Sequence, residues 1–263
     1  MRRNSLKILI YGAGRVGGTL YYTLKKRGVE AFRYSRGKKG AGYLSLDRIL
    51  KSIDSFDLVI LSVPDMNIEV VVNELYRSID RVSNRVILHT SGTISYRVLD
   101  PLIEKGFITG SLHPYFSFYR IRRDVNLEDI CFGLSCEKNS LKRIEGLFNK
   151  IGINYEFILD EKRVPYHISA VFVSNFTALL LRIAFELLEY SGFRDKREDF
   201  IFSLLNSTLY NLKRFGIEKT ITGPAIRGDM RVLNIHKGFL KGYNRLYLRL
   251  YNLVSNLIMT LYK

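Results

Sequence analysis

What most constrains this chain is a glycine turn set between a strand and a helix near its start. Lys7 to Tyr11 reads as a strand and runs straight into Gly12-Ala13-Gly14-Arg15-Val16-Gly17. A G-x-G-x-x-G pattern alone is weak, since glycine turns recur in many loops, so its surroundings carry the reading. Leu6, Ile8, Leu9 and Ile10 form the near-continuous apolar run of a strand buried on both faces, as parallel sheets require. Gly17 to Gly28 follows with helical spacing, lysine and arginine in its last turn and Gly28 as its stop. Val29 to Tyr34 is a second short strand, which completes a βαβ unit of about thirty residues. The turn, from Gly12 and Gly14 through Arg15, Val16 and Gly17, presents backbone N–H groups at a helix N-terminus, where a pyrophosphate binds.

In such a unit an acidic residue roughly twenty positions after the glycines binds the ribose hydroxyls of NAD. Here that carboxylate is missing, and Tyr34-Ser35-Arg36 followed by Gly37-Lys38-Lys39 stands in its place. A hydroxyl beside a planar guanidinium, which donates paired hydrogen bonds to phosphate oxygens, suits the 2'-phosphate of NADP. Ser35 and Arg36 are therefore expected to bind that phosphate, with an ordinary solvated loop as the alternative.

The chain has 263 residues, 47% of them hydrophobic and 13% aromatic, enough for one large folded domain or two ordinary ones. A formal charge of +16 attracts polyanions, nucleic acid included. The cations, however, are scattered: Arg36 to Lys39, Arg120 to Arg123 and Lys142-Arg143 build no sustained stripe. No zinc-ligand spacing or RNA-binding signature accompanies them, so neither a metal site nor nucleic-acid binding is expected. Lysine and arginine dispersed among glutamates and tyrosines fit a thermophile's surface equally well. Met1 to Ser5 is basic, but the apolar stretch behind it breaks at the glycines, which argues against a signal peptide. No run of eighteen apolar residues suggests a membrane span. Cys131 and Cys136 lie five apart in one strand and so point to opposite faces, as two unpaired thiols of a cytoplasmic protein would.

Further apolar strands are expected at Phe56 to Asp65, Arg85 to Gly92, Phe107 to Pro114, Ile130 to Ser135 and Tyr155 to Leu159, with helices between them. In an open parallel sheet the ligand lies beyond the carboxyl ends of the strands, so Ser62, Val63, Pro64, Thr90, Ser91 and Gly92 should face a cofactor. From Pro165 the pattern is helical only: a long helix to about Ser191, then Lys196 to Phe215 and Met230 to Leu261. The expectation is an α/β fold, a Rossmann-type parallel sheet over 1–162 followed by an all-helical domain over 163–263. The last helix carries Leu240, Tyr243, Leu246, Tyr247, Leu250, Leu253 and Leu257 at three and four spacing, a stripe expected to be buried within the helical domain and large enough to build a homodimer interface besides.

Among four histidines, His89 and His113 fall at strand ends and His167 opens the long helix. At 100 degrees per residue, Ser174 lies within about 20 degrees of His167 and Asn175 within about 80, so the three share one broad face. The loop Thr222-Gly223-Pro224-Ala225-Ile226-Arg227-Gly228-Asp229 is the other dense polar motif. Arg227 and Asp229 could pair or hold a substrate carboxylate; Asp229 could equally cap the last helix.

In these pieces the chain resembles Rossmann-like proteins with a C-terminal helical domain of unknown function, a group described as NADP- or coenzyme F420-dependent oxidoreductases. These look like distant relatives of pyrroline-5-carboxylate reductase, ketopantoate reductase and the 3-hydroxyacid dehydrogenases. The resemblance rests on Gly12 to Gly17, Leu61 to Asp65, His89 to Gly92, Gly110 to Pro114, Tyr166-His167 with Ser174-Asn175, and Thr222 to Pro224 with Arg227 to Asp229. It implies an NADP-binding domain, a helical domain that dimerises and a substrate cleft between them. In the 3-hydroxyacid dehydrogenases a lysine stands four residues before an asparagine on the corresponding helix; here that position is Val171. The proton would have to come from His167 or His113, whose ordinary pKa near 6.5 permits it. The expected activity is hydride transfer to or from a small carbonyl or imine, with His113, His167 and Asn175 catalytic and Ser174, Arg227 and Asp229 at the substrate. An NADP-binding sensor without turnover is the alternative, and coenzyme F420 stays open as electron carrier.

Overall fold

Buried apolar strands set the frame. In the computed structural model, which describes residues 6–262, β1 (Lys7–Tyr11), β2 (Glu30–Tyr34), β3 (Leu58–Leu61), β4 (Arg85–His89), β5 (Phe107–Tyr115), β6 (Cys131–Cys136) and β7 (Tyr155–Phe157) form one sheet in the order β2-β1-β3-β4-β5-β6-β7. The basic start Met1 to Ser5, weighed against a signal peptide, lies outside the described residues. Ile8-Leu9-Ile10 and Leu58-Val59-Ile60-Leu61 read as unbroken apolar runs because each face of the sheet has its own core. Ile8, Ile10, Ile60 and Leu88 pack with Leu20 and Leu24 of α1 (Arg15–Lys26) on one face. Leu9, Val59, Leu61 and Ile87 pack on the other, against Ile49 of α2 (Leu46–Ser52), Val72 and Leu75 of α3 (Ile68–Ser78) and Leu102 of α4 (Pro101–Glu104).

The sheet departs from the parallel expectation at one place. β1 to β5 pair parallel, but β6 runs antiparallel to β5, with Ser111 opposite Ser135 and His113 opposite Gly133. A parallel return needs a crossover helix, and the chain between Tyr115 and Cys131 holds only a 3-10 turn at Leu127–Asp129. α5 (Lys138–Ile151) supplies that crossover one step later, so β7 is parallel to β6.

The chain divides into two compact units, Met1–Ser174 and Asn175–Lys263, so α6 (Arg163–Val171), which the sequence pattern places in the second domain, belongs to the first unit. A π-helical stretch, Phe172–Phe176, follows α6 and leads into α7 (Thr177–Tyr190). The 31-residue helix Asp160–Tyr190 contains an 18-residue window of mean hydropathy 1.8, so it is long and apolar enough to cross a membrane, and none of that window is buried. Sequence inspection missed it because His167, Ser169, Ser174 and Asn175 interrupt the apolar run without adding formal charge. Beyond it come α8 (Arg197–Phe215), α9 (Met230–Tyr243) and α10 (Arg245–Leu261). The single last helix expected over Met230 to Leu261 is thus two, broken at Asn244, whose extended backbone and side chain cap α10 by accepting from Leu246 N and Tyr247 N.

Candidate active site

Sterics shape the glycine turn. Gly12 has φ +105°, and a Cβ there would overlap the Ser62 carbonyl. A Cβ on Gly17 would overlap the Gly12 carbonyl and stand 2.8 Å from Ile10 Cγ2, so this glycine lets α1 lie against β1. Gly14 is the contrast: it caps α1 with φ −75°, and a Cβ on it would meet nothing within 4 Å. Together the three glycines meet what a dinucleotide turn demands, a tight bend, an open approach to the backbone and close helix packing. Arg15 is exposed on the first turn of α1 and Val16 is half-buried behind it.

Beside the turn lies a cleft of about 450 Å³ that gathers Gly12, Gly14, Ser35, Arg36, Ser62, Val63 and Pro64. Seven expected cofactor residues from three strand ends therefore share one space. The cleft also holds Tyr34, the neighbour of Ser35, together with Tyr11 and Glu74, which the sequence pattern did not assign to a site.

A second cluster forms at the carboxyl ends of β4 and β5. His113 and His167 meet edge to face with ring centroids 5.5 Å apart. Both crowd Gly92: a Cβ there would overlap His167 Cδ2 and stand 2.9 Å from both Cδ2 and Nε2 of His113. The Nδ1 atoms are engaged on the other side, His113 with the Tyr166 hydroxyl at 3.1 Å and His167 with Thr93 Oγ1 at 3.2 Å. Each imidazole is thus oriented by a hydroxyl while its Cδ2 edge turns to Gly92. Burial, then His167 and Arg163, push His113 down to about 4, so at neutral pH it is an uncharged imidazole and no longer the acid that a value near 6.5 would allow. The Tyr166 phenol is pushed up to about 12 by burial and keeps its proton.

The third predicted histidine is structural. His89 is completely buried, its Nδ1 accepts from Ser91 N at 3.2 Å, and its Nε2 is 3.3 Å from the Ser95 carbonyl. Burial pushes it down to about 3, so it stays neutral and fixes the loop after β4. Ser91 braces the same loop, since its hydroxyl donates to Asp65 (2.8 Å) and accepts from Thr93 N and Ile94 N. Thr90 turns its hydroxyl back to the Leu61 carbonyl at 3.4 Å.

Sequence reasoning missed Arg163, whose side chain is 2% exposed. Its guanidinium donates to the Ser111 hydroxyl, the Ser135 hydroxyl (3.0 Å) and the Ser91 carbonyl, and its Nε stands 3.9 Å from Asp160. It ties β5, β6 and the Gly92 loop to the start of α6. A signal existed: Ser111 and Ser135 are hydroxyls inside buried strands, and such groups require a partner.

Ser174 and Asn175 lie in the π-helical stretch. A π turn carries more residues than an α turn, so the 100-degree count from His167 does not hold across it. Arg227 and Asp229 lie in the second unit, where Arg227 is exposed and Asp229 caps α9 by accepting from Val232 N at 3.2 Å. Among the described residues no three His, Cys, Asp or Glu side chains group as a metal site.

Two family models divide the sequence between them. Residues 1–114 match the Rossmann-like domain, and residues 130–258 match the domain of unknown function DUF2520. The chain joins a Rossmann-like domain to a DUF2520 domain. No curated protein matches it. Among solved structures it is similar to a candidate NADP oxidoreductase from Bacteroides fragilis, at 22% identity and a TM-score of 0.77 over 97% of this chain and 98% of that one. It is similar also to a protein from Thermotoga maritima, at 24% identity and a TM-score of 0.66 over the same shares. A third is the Plasmodium falciparum pyrroline carboxylate reductase solved with NADP bound, at 12% identity and a TM-score of 0.64 over 97% of this chain and all of that one. At these identities the likeness is one of fold: a Rossmann-like sheet domain followed by helices.

Proposed function

We propose that this protein is an NADP-dependent oxidoreductase that moves a hydride to or from a small carbonyl or imine. The observation that carries the reading is the convergence of His113 and His167 over Gly92, at the same sheet edge as the glycine turn. The fold is shared with proteins described as NADP-binding reductases, which adds support. When bound, the nicotinamide supplies or takes the hydride. The chain's own residues hold the rest: the N–H groups from Gly12 to Gly17 take the pyrophosphate, and Ser35 and Arg36 take the 2'-phosphate. His113, neutral, offers a hydrogen bond to the reacting oxygen or nitrogen, and His167, held by Thr93, moves the proton. Arg163 acts through the Ser91 carbonyl as a positioning residue for the Gly92 loop.

A second copy of the chain completes the molecule. The described residues of the second unit bury only Ile201, Ala225, Leu233, Leu240 and Ser255, while Leu179, Leu204, Leu253 and Leu257 are exposed. A membrane is a poorer cover for the apolar helix, because its first turns carry Arg163 and His167, which are bonded to the sheet domain. Arg36→Ala tests the cofactor assignment. Loss of a charge-assisted contact should weaken NADPH binding roughly 10- to 100-fold while NADH binding changes little. Unchanged preference for NADPH over NADH would overturn it.

A further inference from the structure

The cleft beside the glycine turn has opposite charges on its lining. Arg36 follows β2, and Glu74 lies on α3, with the apolar side chains of Val63, Val70 and Val71 sharing the same space. Glu74 is half-buried, and among the described residues no cation pairs with it; its hydrogen-bond partner is the Tyr11 hydroxyl, which donates to Glu74 Oε2 at 3.2 Å. Tyr11 is 4% exposed and packs its ring on Tyr34 at 4.6 Å, so this donor is fixed. Burial and the neighbouring carboxylate push the Tyr11 hydroxyl up, so it remains a proton donor to Glu74. An ionised carboxylate offers about four acceptor positions, and Tyr11 uses one. The rest are available to donors on a ligand lying between apolar walls.

We infer that Glu74 is the specificity residue for the base of the dinucleotide: it accepts a hydrogen bond from the exocyclic amine of adenine while Arg36 binds the 2'-phosphate of the same nucleotide. A flat, weakly polar ring with an amine at its edge matches valine walls and a carboxylate. A ring with a carbonyl at that edge would set oxygen against oxygen, and a buried acceptor left facing another acceptor rejects its ligand far more strongly than a lost apolar contact does. This inference rests on the NADP reading above and extends it from the phosphate to the base.

The test measures binding of NADPH and of its deamino analogue, in which hypoxanthine replaces adenine, to the full chain by nicotinamide fluorescence. The unmodified protein should bind NADPH roughly tenfold or more tightly than the analogue. In Glu74→Gln the amide can turn its NH₂ toward the hypoxanthine carbonyl, so the ratio should fall to about threefold or less, with thermal unfolding unchanged. Equal binding of the two dinucleotides by the unmodified protein would overturn the inference and leave the NADP reading standing, as would a ratio kept intact in Glu74→Gln. If NADPH itself does not bind, both fall together.

Discussion

Two histidines of the first unit, His113 and His89, are held without charge, and that has a measurable cost in acid. His113 is pushed from its ordinary value of 6.5 to about 4, and His89 to about 3, in both cases chiefly by burial. A base whose folded pKa is depressed binds its proton more readily in the unfolded chain, so acid favours unfolding. The stability these neutral rings allow is complete above pH 6.5 and drains away as pH falls toward 4 for His113 and toward 3 for His89. Each unit of such a difference is worth about 1.4 kcal/mol. The melting temperature should therefore drop steeply between pH 6.5 and 4, and His113→Asn should flatten that drop relative to the unmodified protein; parallel curves would show that His113 does not carry it. Sequence put His113 at a strand end and His167 at the start of the long helix but could not supply this electrostatics. Part of its cause is the buried guanidinium of Arg163, which depends on Ser111, Ser135 and Ser91 from three separate segments.

At the scale of elements, the glycine turn was legible because its demands are local. A strand buried on both faces, a bend with φ above +100° and a helix start lie within about eleven residues, and each leaves a mark on residue type. What was not legible depends on connections. The reversal of β6 follows from a missing crossover helix, which no strand pattern reveals, and the apolar spacing of the last helix ran undisturbed through the break at Asn244. The same turn separates folding from binding. Gly12→Ala forces a strained φ and an overlap with backbone, and should destabilise the protein by about 2 kcal/mol or more. Gly14→Ala meets open space at an ordinary φ and should leave the melting temperature within about 2 °C, yet its methyl group would intrude on the proposed pyrophosphate site, so NADPH affinity should fall at least about tenfold. Calorimetry of both variants with and without NADPH reads both effects; a Gly14→Ala protein that binds normally would remove the pyrophosphate from this turn.

For the whole molecule the deciding quantity is apolar surface without cover. The first unit builds two cores, one on each sheet face, whereas α7 contributes no buried residue at all. A groove of about 280 Å³ within the second unit is lined by Leu180, Ile183, Leu187, Leu250, Val254 and Ile258 and stands open. Stable monomers rarely expose connected apolar patches of more than a few hundred Å². Obligate interfaces between like chains resemble a domain core cut in half, and these helices have that composition. The 30.5 kDa chain should therefore run at twice its mass in light scattering at micromolar concentration, with no monomer on dilution to about 100 nM. Leu204→Glu with Leu257→Glu puts two carboxylates on the exposed apolar surface and should yield monomer or aggregate, with the melting temperature lowered and, in the soluble monomer, independent of protein concentration. A monomer of unmodified sequence that stays soluble and equally stable across that range would mean that the helical unit needs no second copy.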